Sequence, residues 1–221
     1  MASLPLTPAE LAAWIDHTLL APDATAGDVE KLCAEARQFR FHGVCVNGSR
    51  VELAHHLLED TLIQVVATVA YPFGAMAQDA KRFETEAAID DGAQEIDVVM
   101  NIGLLKDRAD QAVLRELRDV VEAADDRPVK VILQSSLLTA EEKLRACALA
   151  IESGAKFLNM SAGWNGPGAT AEDVKLLRQA AGQDLGIAAS GGMCDFKTAI
   201  QLLQAGATRL GVSASVAIVQ Q

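Results

Sequence analysis

The chain is predicted to fold as a (β/α)8 barrel, one domain over residues 1–221, on three observations. Eight short apolar, β-rich runs recur along it, amphipathic helical stretches separate them, and no Pro-, Gly- or Ser-rich linker breaks the alternation. The runs are 14–18, 43–47, 65–70, 95–101, 129–134, 156–161, 186–190 and 209–213. An open doubly wound sheet explains a count of eight less well, and the chain has no GxGxxG fingerprint to support one.

The helices announce their starts. Thr7-Pro8-Ala9-Glu10 places a hydroxyl at the N-cap, proline at the first helical position and a carboxylate two residues later. Thr139 to Glu142 is a second capping box, and Thr170 to Asp173 a third with the shorter acid; Thr25 and Asp195 suit two more caps. Gly92, Gly154 and Gly206 each precede an alanine, a polar or charged residue and a strand, as left-handed helix stops do. The last helix, 215–221, is short enough only to cover the barrel end.

Apolar residues make up 50% of the 221 and charged residues 22%, enough to bury a core and too ordered a composition for a disordered chain. Aromatics are only 4%, so Ala, Val, Leu and Ile build the interior, which suits helices on a parallel sheet. A net charge of −11 repels a phosphate backbone, and nucleic-acid binding is not expected. Cys33, Cys45, Cys147 and Cys194 form no CxxC pair, so neither a disulfide framework nor a zinc knuckle is predicted. No basic and apolar leader opens the chain, and no apolar run approaches the roughly 18 residues a membrane span needs. The expectation is a cytoplasmic protein with no membrane partner.

In such a barrel, reactive side chains sit at the carboxyl ends of strands. Those ends offer Asp16, His17, Asn47, Asp97, Asn101, Gln134, Asn159, Ser161, Ser190 and Ser213. Strand alternation puts Asp97, Val99 and Asn101 on one face, with Asp97 deeper inside. A buried carboxylate is costly unless paired or hydrogen-bonded, which makes Asp97 an acid–base candidate; a purely structural aspartate bonded to Thr18, Asn159 or water is the alternative. Ser190-Gly191-Gly192 after strand seven and Gly211 to Ser215 after strand eight supply backbone N–H groups where barrels bind phosphate, although plain turn chemistry explains glycine pairs equally. No metal and no cofactor is expected: His55 and His56 are adjacent, so they project about 100° apart on a helix, His42 precedes strand two at the other end of the barrel, and His17 stands alone. No GxSxG elbow signals a hydrolytic triad.

Several motifs together resemble deoxyribose-phosphate aldolases over nearly the whole chain. They are Ile15-Asp16-His17-Thr18-Leu19-Leu20 with Pro22-Asp23-Ala24-Thr25, Gly43 to Asn47, Glu95 to Gly103, Leu137-Leu138-Thr139, Gly168 to Val174, and Ala189-Ser190-Gly191-Gly192. The resemblance implies a (β/α)8 fold and Schiff-base aldolase chemistry: a nucleophilic lysine on strand six, a second lysine on strand seven, and an aspartate on strand four matched by Asp97. The usual strand-six Phe-Val-Lys-Thr-Ser-Thr-Gly-Phe reads Phe157-Leu158-Asn159-Met160-Ser161-Ala162-Gly163-Trp164 here, and strand-seven Val-Lys-Ala-Ser-Gly-Gly reads Ile187-Ala188-Ala189-Ser190-Gly191-Gly192. Ala21, Gln134-Ser135-Ser136, Pro167 and Tyr71-Pro72-Phe73 also depart from the family's pattern.

An amide cannot form an iminium. Losing two buried cations would also leave a carboxylate unpaired, at about 3–5 kcal/mol, which glutamine in place of glutamate at 134 relieves. Of the remaining lysines only Lys130 has the parity to point inward, four residues below Gln134 and with no evident cationic neighbour. The reading that follows is a rebuilt site: an enzyme of altered mechanism doing acid–base chemistry on a small carbonyl or phosphorylated compound. Asp97, Asp16, Asn159 and Asn101 are its catalytic candidates; Gln134, Ser161, Gly163, Ser190, Gly191, Gly192 and Ser213 are its binding candidates. Two alternatives stand beside it, a pseudoenzyme that holds a phosphorylated ligand or a protein partner, and residual deoxyribose-phosphate aldolase activity. Met160, Trp164, Tyr71 and Phe73 make the mouth bulkier and more apolar, or simply pack beneath the loops. A homodimer stays open as the assembly.

Overall fold

The computed structural model describes residues 6–163, 168–183 and 185–221. Eight parallel strands close in sequence order: β1 Ile15–Leu19, β2 Gly43–Asn47, β3 Gln64–Val69, β4 Glu95–Val99, β5 Val129–Ile132, β6 Phe157–Asn159, β7 Gly186–Ser190 and β8 Arg209–Val212, with β8 pairing back onto β1. Around them run α1 Pro8–Leu11, α2 Ala26–Phe39, α3 Val51–Leu58, α4 Gln78–Asp90, α5 Ile102–Lys106, α6 Asp110–Ala123, α7 Ala140–Ser153, α8 Ala171–Ala181, α9 Phe196–Ala205 and α10 Ser215–Val219. Among the described residues no helix is long and apolar enough to cross a membrane.

The predicted N-caps are in place, but the third predicted box, Thr170 with Asp173, closes in one direction only, and Thr25 forms a full box. Thr7 with Glu10, Thr25 with Asp28, and Thr139 with Glu142 form reciprocal boxes, and Thr170 and Asp195 accept from the backbone N–H three residues on. Gly92, Gly154 and Gly206 all have positive φ. The strands are shorter than the apolar runs suggested: β4 stops at Val99, β5 at Ile132 and β6 at Asn159, after which the backbone turns away. The first begins and ends one residue later than predicted.

Strand parity sorts the side chains. Outward residues such as Val44, Val65, Ile96, Val98, Val131 and Leu158 join the helices in one continuous apolar shell. The interior holds a charged layer at its lower end and a small cluster of Val99, Ile132 and Ala162, backed by Tyr71, higher up. Phe157 fills part of the lower interior, where a Cβ on Gly186 would lie 2.2 Å from its ring, so only glycine fits beside it. Outside the barrel, Lys81 of α4 is fully buried against Glu116 of α6 at 2.6 Å. Its Nζ also donates to the Val99 carbonyl at 2.8 Å, and Glu116 accepts from the Asn101 N–H, so this pair fixes the end of β4 just above Asp97.

A buried pair is worth little against an apolar replacement, yet breaking it leaves an uncompensated charge. Lys81→Met should therefore lower unfolding stability by about 3–5 kcal/mol in urea titrations, while Lys81→Met combined with Glu116→Leu should recover most of that loss.

Candidate active site

The carboxyl end of the barrel opens into a cavity of about 410 Å³. Its lower part is polar, with Asp16, Thr18, Cys45, Thr68, Asp97 and Asn159. One wall is apolar, formed by Tyr71, Ile132 and Ala162, and Tyr71 donates its hydroxyl to the Ala162 carbonyl at 2.7 Å. The opposite wall consists of Ser190, Gly191, Gly192, Gly211 and Ser213. Gly191 and Gly192 have φ of 84° and 69°, and Gly168 lies so close that a Cβ there would sit 1.7 Å from the Gly191 carbonyl. The loop after β6 thus rests directly on the loop after β7.

Asp97 is held by two side-chain donors. Lys130 Nζ donates to its Oδ1 at 2.8 Å, and Asn159 Nδ2 donates to its Oδ2 at 3.2 Å. Asn159 in turn accepts from the Ser190 hydroxyl, which carries the chain up to the glycine wall. Lys130 also lies 2.5 Å from Glu95 and 3.8 Å from Asp16. Arg209 Nη1 lies 3.1 Å from Asp16 and 3.2 Å from Glu95, with its guanidinium carbon 5.4 Å from the centre of the Phe157 ring.

These contacts decide the charges. Burial raises the Asp97 carboxyl above its ordinary value, and Asp16 and Glu95 raise it further, against the pull of Lys130. Burial acts on Asp16 in the same direction, but Lys130, His42 and Arg209 outweigh it and hold that carboxyl at about 2. Burial would strip the Lys130 proton, yet Asp97, Asp16 and Glu95 reverse the effect and fix it as an ammonium. Among the described acids that line the cavity, Asp97 is held above its ordinary value and Asp16 below it. Burial, with Asp97 as the next cause, also keeps the Cys45 thiol protonated well past its usual range.

The structure brings Asp16, Asp97, Asn159, Ser161, Gly163, Ser190, Gly191, Gly192 and Ser213 to one cavity. Asp16 lines the cavity, and its carboxylate turns down to Arg209 and His42. Three expectations need correction. Asn101 lies past the end of β4 and caps α5 through Leu104 N–H, outside the cavity lining. Gln134 follows the end of β5 in a left-handed turn and donates to the Pro72 carbonyl, bracing a loop without lining the cavity. Lys130 does point inward, but Arg209, sharing two of its carboxylates, is a cationic neighbour the sequence reading missed. Of the four bulky mouth residues, Tyr71 lines the cavity, Met160 is buried in the outer shell, Phe73 is 64% exposed outside the lining, and Trp164 lies outside the described residues. His17 faces outward, between Ser215 and Glu35.

Fold and cavity together define a (β/α)8 barrel with an ionisable carboxyl above a buried ammonium. Residues 11–221 match the DeoC/LacD family aldolase, and the chain belongs to that family. It is 50% identical over 210 residues to deoxyribose-phosphate aldolase of Alkaliphilus oremlandii, covering 95% of each chain. It is 48% identical over 212 residues to deoxyribose-phosphate aldolase 1 of Bacillus licheniformis, covering 96% of this chain and 95% of that one. Deoxyribose phosphate aldolase of Aeropyrum pernix, described as a tetramer, superimposes with a TM-score of 0.91 at 28% identity, over 97% of this chain and 91% of that one.

The folded Asp16 carboxyl, held at about 2, lies below the ordinary 3.8, so its stabilisation is complete above about pH 4 and disappears as pH falls toward 2. Asp16→Asn should be less stable than the parent at pH 7 in thermal melts, and its melting temperature should fall less steeply between pH 4 and pH 2.

Proposed function

We propose that the cavity binds a small phosphorylated carbonyl compound of the deoxyribose-phosphate kind, and that its chemistry is proton transfer at Asp97 without a lysine imine. The observation that carries this is the composition of the cavity: Asp97 faces it, and among the described residues that line it there is no lysine. The relatives' names support aldol cleavage or condensation as the reaction class. Lys130, the nearest amine, is held as an ammonium by three carboxylates beneath the floor and has no lone pair to attack a carbonyl.

An imine-free cleavage balances as follows. The Asp97 carboxylate takes the proton of the hydroxyl β to the substrate carbonyl. The new C=O forms as the C–C bond breaks, and that electron pair moves onto the α carbon and carbonyl oxygen as an enolate. The same proton then returns from Asp97 to the α carbon, leaving two carbonyl products. The glycine wall of Gly191, Gly192 and Ser213 suits the phosphate through backbone N–H groups. Asn159 and Ala188 stand as register partners on β6 and β7, side by side where the family pattern places two lysines. The tetrameric Aeropyrum relative supports self-association of this chain.

A second reading, binding without turnover, rests on one feature: both Asp97 oxygens are engaged, and the Asn159 amide is spent between Asp97 and Ser190. Deoxyribose 5-phosphate separates the two. Under the first reading it raises the melting temperature and slowly releases acetaldehyde, and Asp97→Asn cuts release at least tenfold while keeping the thermal shift. Under the second, only the thermal shift appears. Borohydride trapping with peptide mass spectrometry should give no adduct on Lys130; a reduced Lys130 adduct would overturn the imine-free proposal. Asn159→Lys with Ala188→Lys should restore trapping at 159 if the cavity still presents the substrate as an aldolase does.

A further inference from the structure

One wall of the cavity offers a ligand nothing but hydrocarbon. Tyr71 donates its hydroxyl to the Ala162 carbonyl at 2.7 Å, which ties the chain after β3 to the chain after β6. Burial pushes that hydroxyl up from its ordinary range, so it stays a donor at neutral pH. Its one polar hydrogen is thus spent on Ala162, and the ring is what remains for the cavity. Beside it, Ile132 and Ala162 line the same wall with side chains that carry no polar atom, and Val99 is buried with them.

The turn that carries Tyr71 is fixed by several elements at once. Ala70, just before it, has φ of 56°, a left-handed conformation that a residue with a Cβ seldom adopts. Such backbone persists only where the surroundings hold it, and it concentrates at ligand-binding positions. Here the Ala70 N–H donates to Glu84 of α4 at 2.8 Å, and the Ala70 carbonyl accepts from the Gly74 N–H at 2.8 Å. The Pro72 carbonyl accepts from the Gln134 amide at 3.0 Å. A Cβ on Gly74 would lie 2.3 Å from the Met100 carbonyl, so the turn rests directly on the chain after β4.

Strand order then sets the direction of a ligand. In a closed ring of eight, β3 stands opposite β7, so Tyr71 and the glycine wall of Gly191 and Gly192 lie across the mouth from each other, with Asp97 and Asn159 in the lining between them. A phosphate held at the glycine wall sends its carbon chain over Asp97 toward the ring. A hydroxyl at the far end of that chain would leave water for a surface without a partner, whereas a methylene gains from the same move. We propose that Tyr71 is the specificity-determining residue of the cavity, and that with Ile132 and Ala162 it forms a subsite for the alkyl end of a phosphorylated carbonyl compound, opposite the phosphate. This subsite rests on the phosphate position proposed for the glycine wall and adds the chemical character of the ligand's other end.

Calorimetric titration of the full chain with methyl phosphate and butyl phosphate tests it. A fully buried methylene is worth about fourfold in affinity, so three of them, partly covered, should make butyl phosphate bind at least about tenfold more tightly than methyl phosphate in the parent. Tyr71→Ala removes the ring and should bring that ratio to about threefold or less. Ile132→Thr puts a hydroxyl into the wall at nearly the same size and should lower the ratio likewise, which decides the matter if Tyr71→Ala does not fold. Equal affinities for the two esters in the parent, or an undiminished ratio in either folded variant, would overturn the proposal. If neither ester binds the parent, the phosphate reading fails by itself and 2-hexanone takes their place, followed by NMR. Shifts of the Ile132 and Ala162 methyl signals that vanish in Tyr71→Ala would then support the subsite, and no shift in the parent, or the same shift in the variant, would overturn it.

Discussion

The ammonium of Lys130, enclosed by Asp16, Glu95 and Asp97, is the interaction on which the rest of the site depends. A barrel interior of this width is usually packed with branched aliphatic side chains. Here the lower layer is ionic, and it tolerates burial only because each charge touches an opposite one. Arg209 extends the layer toward β1, stacks over Phe157 and is possible at all because β8 closes against β1. Closure and charge pairing are therefore one constraint: an open sheet would leave Arg209 without its two acids, and two acids without their arginine.

The same cluster separates two roles that the sequence assigned jointly to its aspartates. Asp16 sits between Lys130 and Arg209, so its carboxylate is locked in the charged form and serves as scaffold. Asp97 has one cation and an amide, and burial with its acidic neighbours raises its carboxyl above the ordinary value. Asn159 fits that division. It neutralises nothing, but it ties Asp97 to Ser190 and to the glycine wall where an anion would sit. The family assignment rests on the match over residues 11–221, and the ionic floor is what the charges of this barrel add to it.

The barrel was legible because its signals are local: capping boxes, glycine stops and strand parity each depend on a few neighbouring residues, and all five predicted N-caps are found in place. Site residues were legible only as far as the strands ran. Asn101 and Gln134 were placed by extending the pleat two residues too far, whereas the backbone turns at a helix cap in one case and into a left-handed conformation in the other. Glu95 and Arg209 lie away from the carboxyl ends of strands, where a barrel's reactive groups are expected; the inward parity of Glu95 with Asp97, and of Arg209 with Gly211, is the signal the sequence carries for them. The pairing of His42 with both Asp16 and Arg209 is a three-strand contact that no local pattern announces.

The central claim is that Lys130 is a permanently charged structural cation rather than a latent amine. Nitrogen-15 NMR of the lysine side chains, with Lys130 assigned through Lys130→Met, tests it most directly. The account predicts that the Lys130 Nζ signal keeps its ammonium shift and proton couplings up to about pH 10, and broadens into exchange no faster than a buried, triply paired group should. A Lys130 nitrogen that titrates to the neutral amine near pH 7 would contradict it.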